Sequence, residues 1–368
     1  MEKIKLGDLC NPSQGQIKEQ PDTIIDYIDI SSVDNVSKTV TGYQTMAFGE
    51  SPSRARKSVK KGNILVSTVR PNLNAVAILE KDTPNLTVAS TGFCILDCKE
   101  NADNRFVFNF CKSKTFIDAM VSQATGASYP AVTDKIVRAA LVPLYSYHEQ
   151  RSIGEVLDKV SAIIEKRKRE LVELDDLIKA RFIEMFGDPV VNDRGWQKIT
   201  LLESLEAGRT VTYGIVQTGD EFENGTPVFR PIDIAGGHVP KREELKKTDP
   251  LISAQYKRTL LKGNELLITV RGSVGETFQT TDEFKGCNVG RNIVPLVTDS
   301  NKVLQRFLQE LFAQDAIKNW LKGITKGIAL QGLNMGEFKE MPVIVPPIAM
   351  QRAFVVFAMQ VDKSKVAA

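Results

Sequence analysis

The sequence predicts an α+β protein in which two copies of one globular domain are joined by a long coiled-coil helix, with a second such helix begun after them. Three observations carry this. KGNILVSTVR at 61–70 returns as KGNELLITVR at 262–271, seven of ten positions identical at an offset of 262 − 61 = 201. The segments around the two decapeptides recur in the same order. Between the copies lies a proline-free stretch whose apolar residues step alternately by four and three.

Residues 1–146 make the first copy. YIDISSVDN (27–35) sets Ile-Asp-Ile in a β-branched run, which suits a strand entering a polar loop, and FRPIDIAGG (229–237) repeats it. The decapeptide reads as a strand with a basic flank, RKSVK before the first copy and KRTLL before the second. After each comes a helical pattern, NRFVFNFCKSKTFIDAMVSQ and NKVLQRFLQELFAQDAIKNWLKG. Glycine-containing loops follow, TGASYPAVT and TKGIALQGLN. Each copy then closes on an apolar strand with proline, AALVPLYSYHEQR and MPVIVPPIAMQR. Shared order with diverged residues marks a tandem duplication, and the second copy occupies residues 188–346.

Residues 147–187 supply the joining helix. From Glu149 to Phe186 the residues Ile153, Leu157, Val160, Ile164, Leu171, Leu174, Ile178 and Met185 form an a/d seam, with Arg167 and Arg181 at positions that would otherwise be apolar. Val156, Ile163 and Leu177 widen the stripe. About 38 residues at 1.5 Å each extend about 57 Å. Gly187, Asp188 and Pro189 end the helix as a glycine cap with a following proline should. Residues 347–368 begin an equivalent helix that breaks off after about 18 residues. The stripe from Leu171 to Met185 is therefore expected to seek a partner in trans, a second copy of the chain or a helix of another subunit.

Composition narrows the function. Hydrophobic content of 42% and charged content of 25% are ordinary for a globular protein. No apolar run approaches the roughly 20 residues of a membrane span, and MEKIKLGDLCNPSQGQ lacks the apolar core of a signal peptide. The expected location is cytoplasmic. The five cysteines, Cys10, Cys94, Cys98, Cys111 and Cys287, are an odd number and read as buried thiols. His148 and His238 are the two histidines, and neither lies beside a cysteine pair, so no metal site is expected. No phosphate-cradling GxxxxGK[ST] or GxGxxG occurs, and no G-x-S-x-G, HExxH or amino-methyltransferase tetrapeptide. No residue is assigned a catalytic role.

With a net charge of +3, distribution matters more than the total. Arg54, Arg56, Lys57, Lys60 and Lys61 crowd into SRARKSVKK, while Lys241, Arg242, Lys246, Lys247, Lys257, Arg258 and Lys262 spread over a longer interval of the second copy. Such clusters supply salt-sensitive attraction to phosphates. Base discrimination needs paired hydrogen bonds, chiefly Arg to guanine and Asn or Gln to adenine. Arg70 with Asn72 and Asn74, and Arg271 with Ser273, Arg291 and Asn292, are candidates. Taken singly, each reads more readily as a solvated strand end or turn residue; the recurrence of the basic stretch in both copies favours binding for the group. Tyr129 and Pro130 read as loop packing, and Lys166–Arg169 mainly as a solvated helix face.

This organisation resembles the DNA-specificity subunit family of type I restriction–modification systems. The resemblance rests on TGASYPAVTDKIVRAALVPLYSYHEQRSIGEVLDKV, RFIEMFGDPVVNDRGWQ, YGIVQTGDEFENGTPVFRPIDI, LKGNELLITVRGSVGE and VIVPPIAMQR, and covers nearly the whole chain. It implies two target-recognition domains, each reading one half of a split site in double-stranded DNA. It also implies two conserved helices packed antiparallel as a rod, here with a truncated distal helix. No catalysis is expected in this chain. The implied partners are modification (methyltransferase) subunits, expected to be two and to use S-adenosylmethionine, and restriction (translocase-nuclease) subunits, which use ATP and magnesium. The rival reading is a two-domain adaptor that binds proteins through the rod; a nuclease acting alone would need metal-dependent cleavage.

Overall fold

The repeated decapeptide folds as the middle strand of a three-stranded antiparallel sheet in both copies. Strand Ile64–Ser67 pairs with Phe93–Leu96 and Val76–Ile78, and strand Leu266–Thr269 pairs with Ile293–Leu296 and Thr277–Gln279. All four residues of each middle strand are buried. Burial on both faces explains why apolar residues persisted there while the sequence around them diverged. The structure, a computed structural model, describes residues 2–13, 15–18, 20–237, 239–326 and 332–367. His238, the end of the chain at Ala368 and the centre of the TKGIALQGLN loop lie outside the described residues.

The chain divides into two units, Met1–Lys166 and Arg167–Ala368, with the division inside the joining helix. Each unit has a second, mixed sheet. In unit 1 its order is Gln44–Ala47, Ile24–Ile28, Leu86–Ser90, Ala55–Ser58, with the central pair parallel. In unit 2 it is Lys246–Thr248, Thr226–Phe229, Asn288–Val289, the last two parallel. First and last strands close each copy antiparallel: Lys3–Lys5 on Leu141–Pro143, and Gln197–Thr200 on Pro342–Val345.

Both predicted helical stretches are present, each broken once. Asn104–Lys112 and Lys114–Val121 flank Ser113, whose hydroxyl caps the second helix by accepting from the Phe116 amide. Gln305–Ala313 and Asp315–Gly323 are the counterparts. The two Ile-Asp-Ile segments differ. The first ends a strand, as expected, but the second lies in the helical turn Pro231–Ile234. Pro231 sits at the start of that turn, and Asp233 accepts from both the Arg230 amide and its guanidinium.

The central helix runs from Tyr147 to Phe186 and the distal helix from Ile348 to Ala367. Here the structure corrects the expected location of the unpaired stripe. Phe182 and Phe186 are fully buried against Phe307 and Phe354, with ring centroids 5.1 to 5.6 Å apart. Near its far end the distal helix places Lys365 2.6 Å from Asp175. The two helices therefore run antiparallel, and the first turns of the distal helix cover the C-terminal end of the central one. Ile178 is buried there, Leu174 and Met185 are half-buried, and Arg181 lays its guanidinium 5.8 Å from the Phe357 ring. The buried line through Ile178, Phe182 and Phe186 steps by four. That is packing onto a globular core, not a continued heptad seam.

The apolar side chains left exposed lie at the other end. Val156, Leu157, Val160, Ile163 and Ile164 are exposed within unit 1, whereas Ile153 packs on its core. Leu171 and Leu177, on the other unit, are also exposed. Arg167 turns to Glu170 at 2.8 Å on the exposed face.

Gln150 and Gln351, 201 residues apart, fix the start of each long helix from the interior. Gln351 donates to the carbonyls of Lys302 and Pro346 and accepts from the Leu304 amide. Gln150 donates to the Tyr145 carbonyl and accepts from the Asp103 amide. Gln351→Ala strands these buried groups and is expected to destabilise unit 2 by about 2–4 kcal/mol in urea denaturation. A cost under about 0.5 kcal/mol would show that the bridge is dispensable.

Four cysteines are buried and Cys98 is half-buried. No helix among the described residues is long and apolar enough to cross a membrane.

Candidate nucleic-acid interface

The strongest candidate feature begins where the repeated strand ends. After Val69 the chain of unit 1 turns through Arg70, which adopts a left-handed backbone (φ 49°), into the 3-10 turn Pro71–Leu73. The TGASYPA loop lies alongside: Val69 bridges Ala131, and the Arg70 amide donates to the Pro130 carbonyl at 2.7 Å. The guanidinium rests 4.9 Å from the Tyr129 ring centroid, and Tyr129 is 68% exposed. An exposed tyrosine is thus paired with an exposed arginine, not packed into its own loop as the sequence suggested. A stacked guanidinium keeps its hydrogen-bonding edge while losing conformational freedom.

Unit 2 has a related pairing of strand exit and loop, displaced by one residue along the strand. Arg271 bridges Gly332, and the Leu333 amide donates to the Val270 carbonyl, as Val132 does to Thr68 in unit 1. A Cβ on Gly332 would lie 2.9 Å from the Arg271 Cγ, so the arginine side chain lies against Gly332 and would have to shift for a larger residue. Arg271 continues into Gly272, at φ 78°, in place of a proline. Ser273 is exposed, and its carbonyl accepts the Thr269 hydroxyl. Arg291 is exposed, with its amide held by the Ile215 carbonyl, while the Asn292 carbonyl accepts from Val270.

The basic cluster of unit 1 is divided by its partners. Arg54 donates to the Tyr27 hydroxyl at 3.2 Å and binds Asp29 at 2.7 Å, which together raise the guanidinium pKa, yet its side chain stays more than half exposed. Arg56 lies over the Phe48 ring and donates to its neighbour's carbonyl. Lys60 is exposed, 3.4 Å from Asp97; Lys61 is exposed, with its amide on Asp82. Asn72 is exposed on the turn.

Lys57 and Asn74 require correction as ligand-facing candidates. Lys57 points inward and donates to Asp134 and the Phe93 carbonyl, pinning an edge strand to the helix Asp134–Ala139. Asn74 is buried and spends its amide on the Cys111 carbonyl. In both, a polar side chain next to a strand satisfies the interior instead of facing outward.

In unit 2, Arg242 donates to the carbonyls of Glu283 and Lys285, and Lys241 lies 3.9 Å from Glu244. Lys246 donates to the Gly219 carbonyl and Lys247 to that of Glu223. Lys262 is exposed, its amide bonded to the buried Glu265 carboxylate. Lys257 and Arg258 line an open concavity of about 710 Å³ with Tyr213, Gln255, Tyr256 and Lys339. The aromatic and amide members were not found from the sequence, because two separate segments contribute them and a third supplies Lys339. Cations beside stacking rings and an amide suit a nucleic-acid backbone and its bases.

Comparisons with known proteins agree. The family model for the type I restriction modification DNA specificity domain matches residues 1–174 and 195–367. The chain is 22% identical over 285 residues to the specificity subunit of the type I restriction enzyme EcoBI of Escherichia coli, across 71% of this chain and 60% of that one. It is 24% identical over 140 residues to the HindI specificity subunit of Haemophilus influenzae, across 37% of this chain and 30% of that one. The chain thus spans 60% and 30% of these relatives' lengths. Two solved structures share the fold over 100% of this chain. A chain from work on complex assembly in the type I R-M system has a TM-score of 0.56, 24% identity and 91% of its own length covered. The type I restriction–modification S subunit from M. genitalium has a TM-score of 0.52, 16% identity and 90% covered.

Proposed function

This chain belongs to the type I restriction modification DNA specificity family, and from that premise we propose that it reads a split target in double-stranded DNA, one half-site per unit. The observation that carries the reading is the duplicated arginine. Arg70 and Arg271 leave equivalent strands beside equivalent loops, yet PNLN follows the first and GSVG the second. One scaffold with two different tips is what reading two different half-sites requires. Arg54, Arg56, Lys60 and Lys61 in unit 1, and Lys241, Arg242, Lys257, Arg258 and Lys262 in unit 2, supply attraction to the phosphates in this proposal.

The chain's role is recognition without chemistry of its own. Methylation and cleavage fall to modification subunits carrying S-adenosylmethionine and to restriction subunits carrying ATP and magnesium. The exposed apolar run Val156–Ile164 is where we place a helical partner, a modification subunit or a second copy, since Ile178 and Phe182 are already buried while Leu171 and Leu177 stay exposed. That run also favours the adaptor reading, in which the chain binds proteins alone.

Salt dependence separates the two. DNA affinity is expected to fall steeply with salt, and Lys257→Ala with Arg258→Ala to flatten the slope of log K against log salt by about 2, near 0.9 per lost phosphate contact. Binding of DNA that is weak and insensitive to both salt and this variant would leave the adaptor reading.

A further inference from the structure

Four of the five cysteines lie in unit 1, and two of them face each other across strands. Cys10 and Cys98 form an isolated antiparallel bridge. The flanking bonds run from the Asn11 amide to the Asp97 carbonyl at 2.7 Å and from the Lys99 amide to the Leu9 carbonyl at 3.0 Å. That pattern makes Cys10 and Cys98 a non-hydrogen-bonded pair, the closer of the two antiparallel pairings, with Cα atoms about 4.5 Å apart. Disulfides span Cα separations of about 4.4–6.8 Å, so the backbone already holds the pair within reach.

We propose that Cys10 and Cys98 are a reversible oxidation site, converted by a small peroxide into a disulfide that ties the N-terminal segment of unit 1 to the exit of strand Phe93–Leu96. The Cys10 sulfur attacks a peroxide oxygen as thiolate. The O–O bond breaks, water leaves after protonation, and a sulfenic acid remains on Cys10. The Cys98 sulfur then attacks that sulfur, the S–O bond breaks, and a second water leaves. Two thiols and one hydrogen peroxide give one disulfide and two waters, with two electrons passing from sulfur to oxygen.

The surroundings favour this pair over the other thiols. The neighbouring Cys98 thiol holds the Cys10 thiol below its ordinary pKa against the cost of burial, with Arg138 and Lys99 acting in the same direction and Asp97 against it. Cys10 and burial push the Cys98 thiol up, which makes Cys10 the attacking sulfur. Arg138 is fixed there by donating to the carbonyls of Asn11 and Ile95. Burial instead pushes Cys94 up to about 12 and Cys287 up to about 11, and raises Cys111 well above the usual range. A cavity of about 20 Å³, lined by Pro12, Ser13, Asp97 and Arg138 among others, lies against Asp97, the chain neighbour of Cys98, and begins two residues after Cys10. It admits a molecule near the size of water and excludes a tripeptide disulfide. Unit 2 has the same bridge, Leu205 opposite Thr298, with the Glu206 amide on Val297 and the Asp299 amide on Ser204. No sulfur stands there, so oxidation is confined to unit 1.

The test treats the full chain with millimolar hydrogen peroxide, then denatures it and counts thiols with a maleimide. The expected count falls from five to three per chain and returns to five with dithiothreitol. Trypsin should yield peptide 6–18 joined to peptide 82–99, with fragmentation placing the link on Cys98 and not Cys94. The oxidised form should melt about 5–10 °C higher in unit 1, because the link closes a loop of 98 − 10 = 88 residues. Cys98→Ser, the variant at the more exposed position, should form no link. Five thiols surviving the treatment, a link through Cys94, or loss that dithiothreitol does not reverse would each overturn the proposal. The peptide map needs no variant and decides the matter even if Cys98→Ser folds poorly.

Discussion

Phe182→Ala is expected to destabilise unit 2 by about 3–5 kcal/mol, because it empties the centre of a cluster in which Phe182, Phe186, Phe307 and Phe354 all touch. Phe354→Ala should cost a similar amount, since it removes the distal helix's contribution to the same cluster. Both tryptophans, Trp196 and Trp320, lie in unit 2, so intrinsic fluorescence in urea follows this unit alone. Ile163→Ala on the exposed stretch lies in unit 1, so its contrast is read by circular dichroism, and it should change stability by under about 0.5 kcal/mol. Equal costs at Phe182 and Ile163 would mean that the two ends of the central helix are packed alike, contrary to the burial pattern described above.

Arg70→Ala is expected to weaken binding to DNA carrying one intact half-site by about 5- to 150-fold, and Arg271→Ala to do so for the other half-site. The range corresponds to about 1–3 kcal/mol for a bidentate arginine–guanine contact. Arg70→Lys should recover little, because lysine offers neither the planar fork nor the stacking on Tyr129. Tyr129→Leu should produce a smaller loss at the same half-site as Arg70. Competition between duplexes altered in one half at a time provides the measurement. A loss shared equally by both half-sites would reduce these arginines to general phosphate contacts.

The duplication was legible because burial on both faces holds a central strand apolar while the surface drifts. Residues such as Leu65 and Leu266 therefore advertise the repeat. The long helix was legible for a related reason: its apolar spacing is continuous whether or not each residue is covered. What spacing cannot carry is direction. Antiparallel packing of the distal helix buries Ile178, Phe182 and Phe186 while Leu171 and Leu177 stay exposed, so the expected bare stripe is covered in part, and spacing alone does not say which part. Phe182 and Phe186 escaped notice because they sit off the heptad seam and pack on Phe307, more than a hundred residues away.

The candidate interface was legible in part. Arg70 and Arg271 stood out through repetition. Lys57 and Asn74 looked identical in kind, yet each serves an interior bond, to Asp134 and to the Cys111 carbonyl. A polar residue beside a strand has two possible directions, and alternation alone does not fix which one a turn selects. Tyr213, Gln255, Tyr256 and Lys339 meet around one concavity from three segments, so no local motif announces them.

Methylation mapping of a genome in cells that carry this chain with its modification subunit tests the central claim most directly. The account predicts a split motif with adenine methylated in two specified halves around an unspecified spacer. It further predicts that Arg70→Ala degrades one half of that motif and Arg271→Ala the other. A continuous motif, or both variants degrading the same half, would contradict the assignment of one reader to each unit.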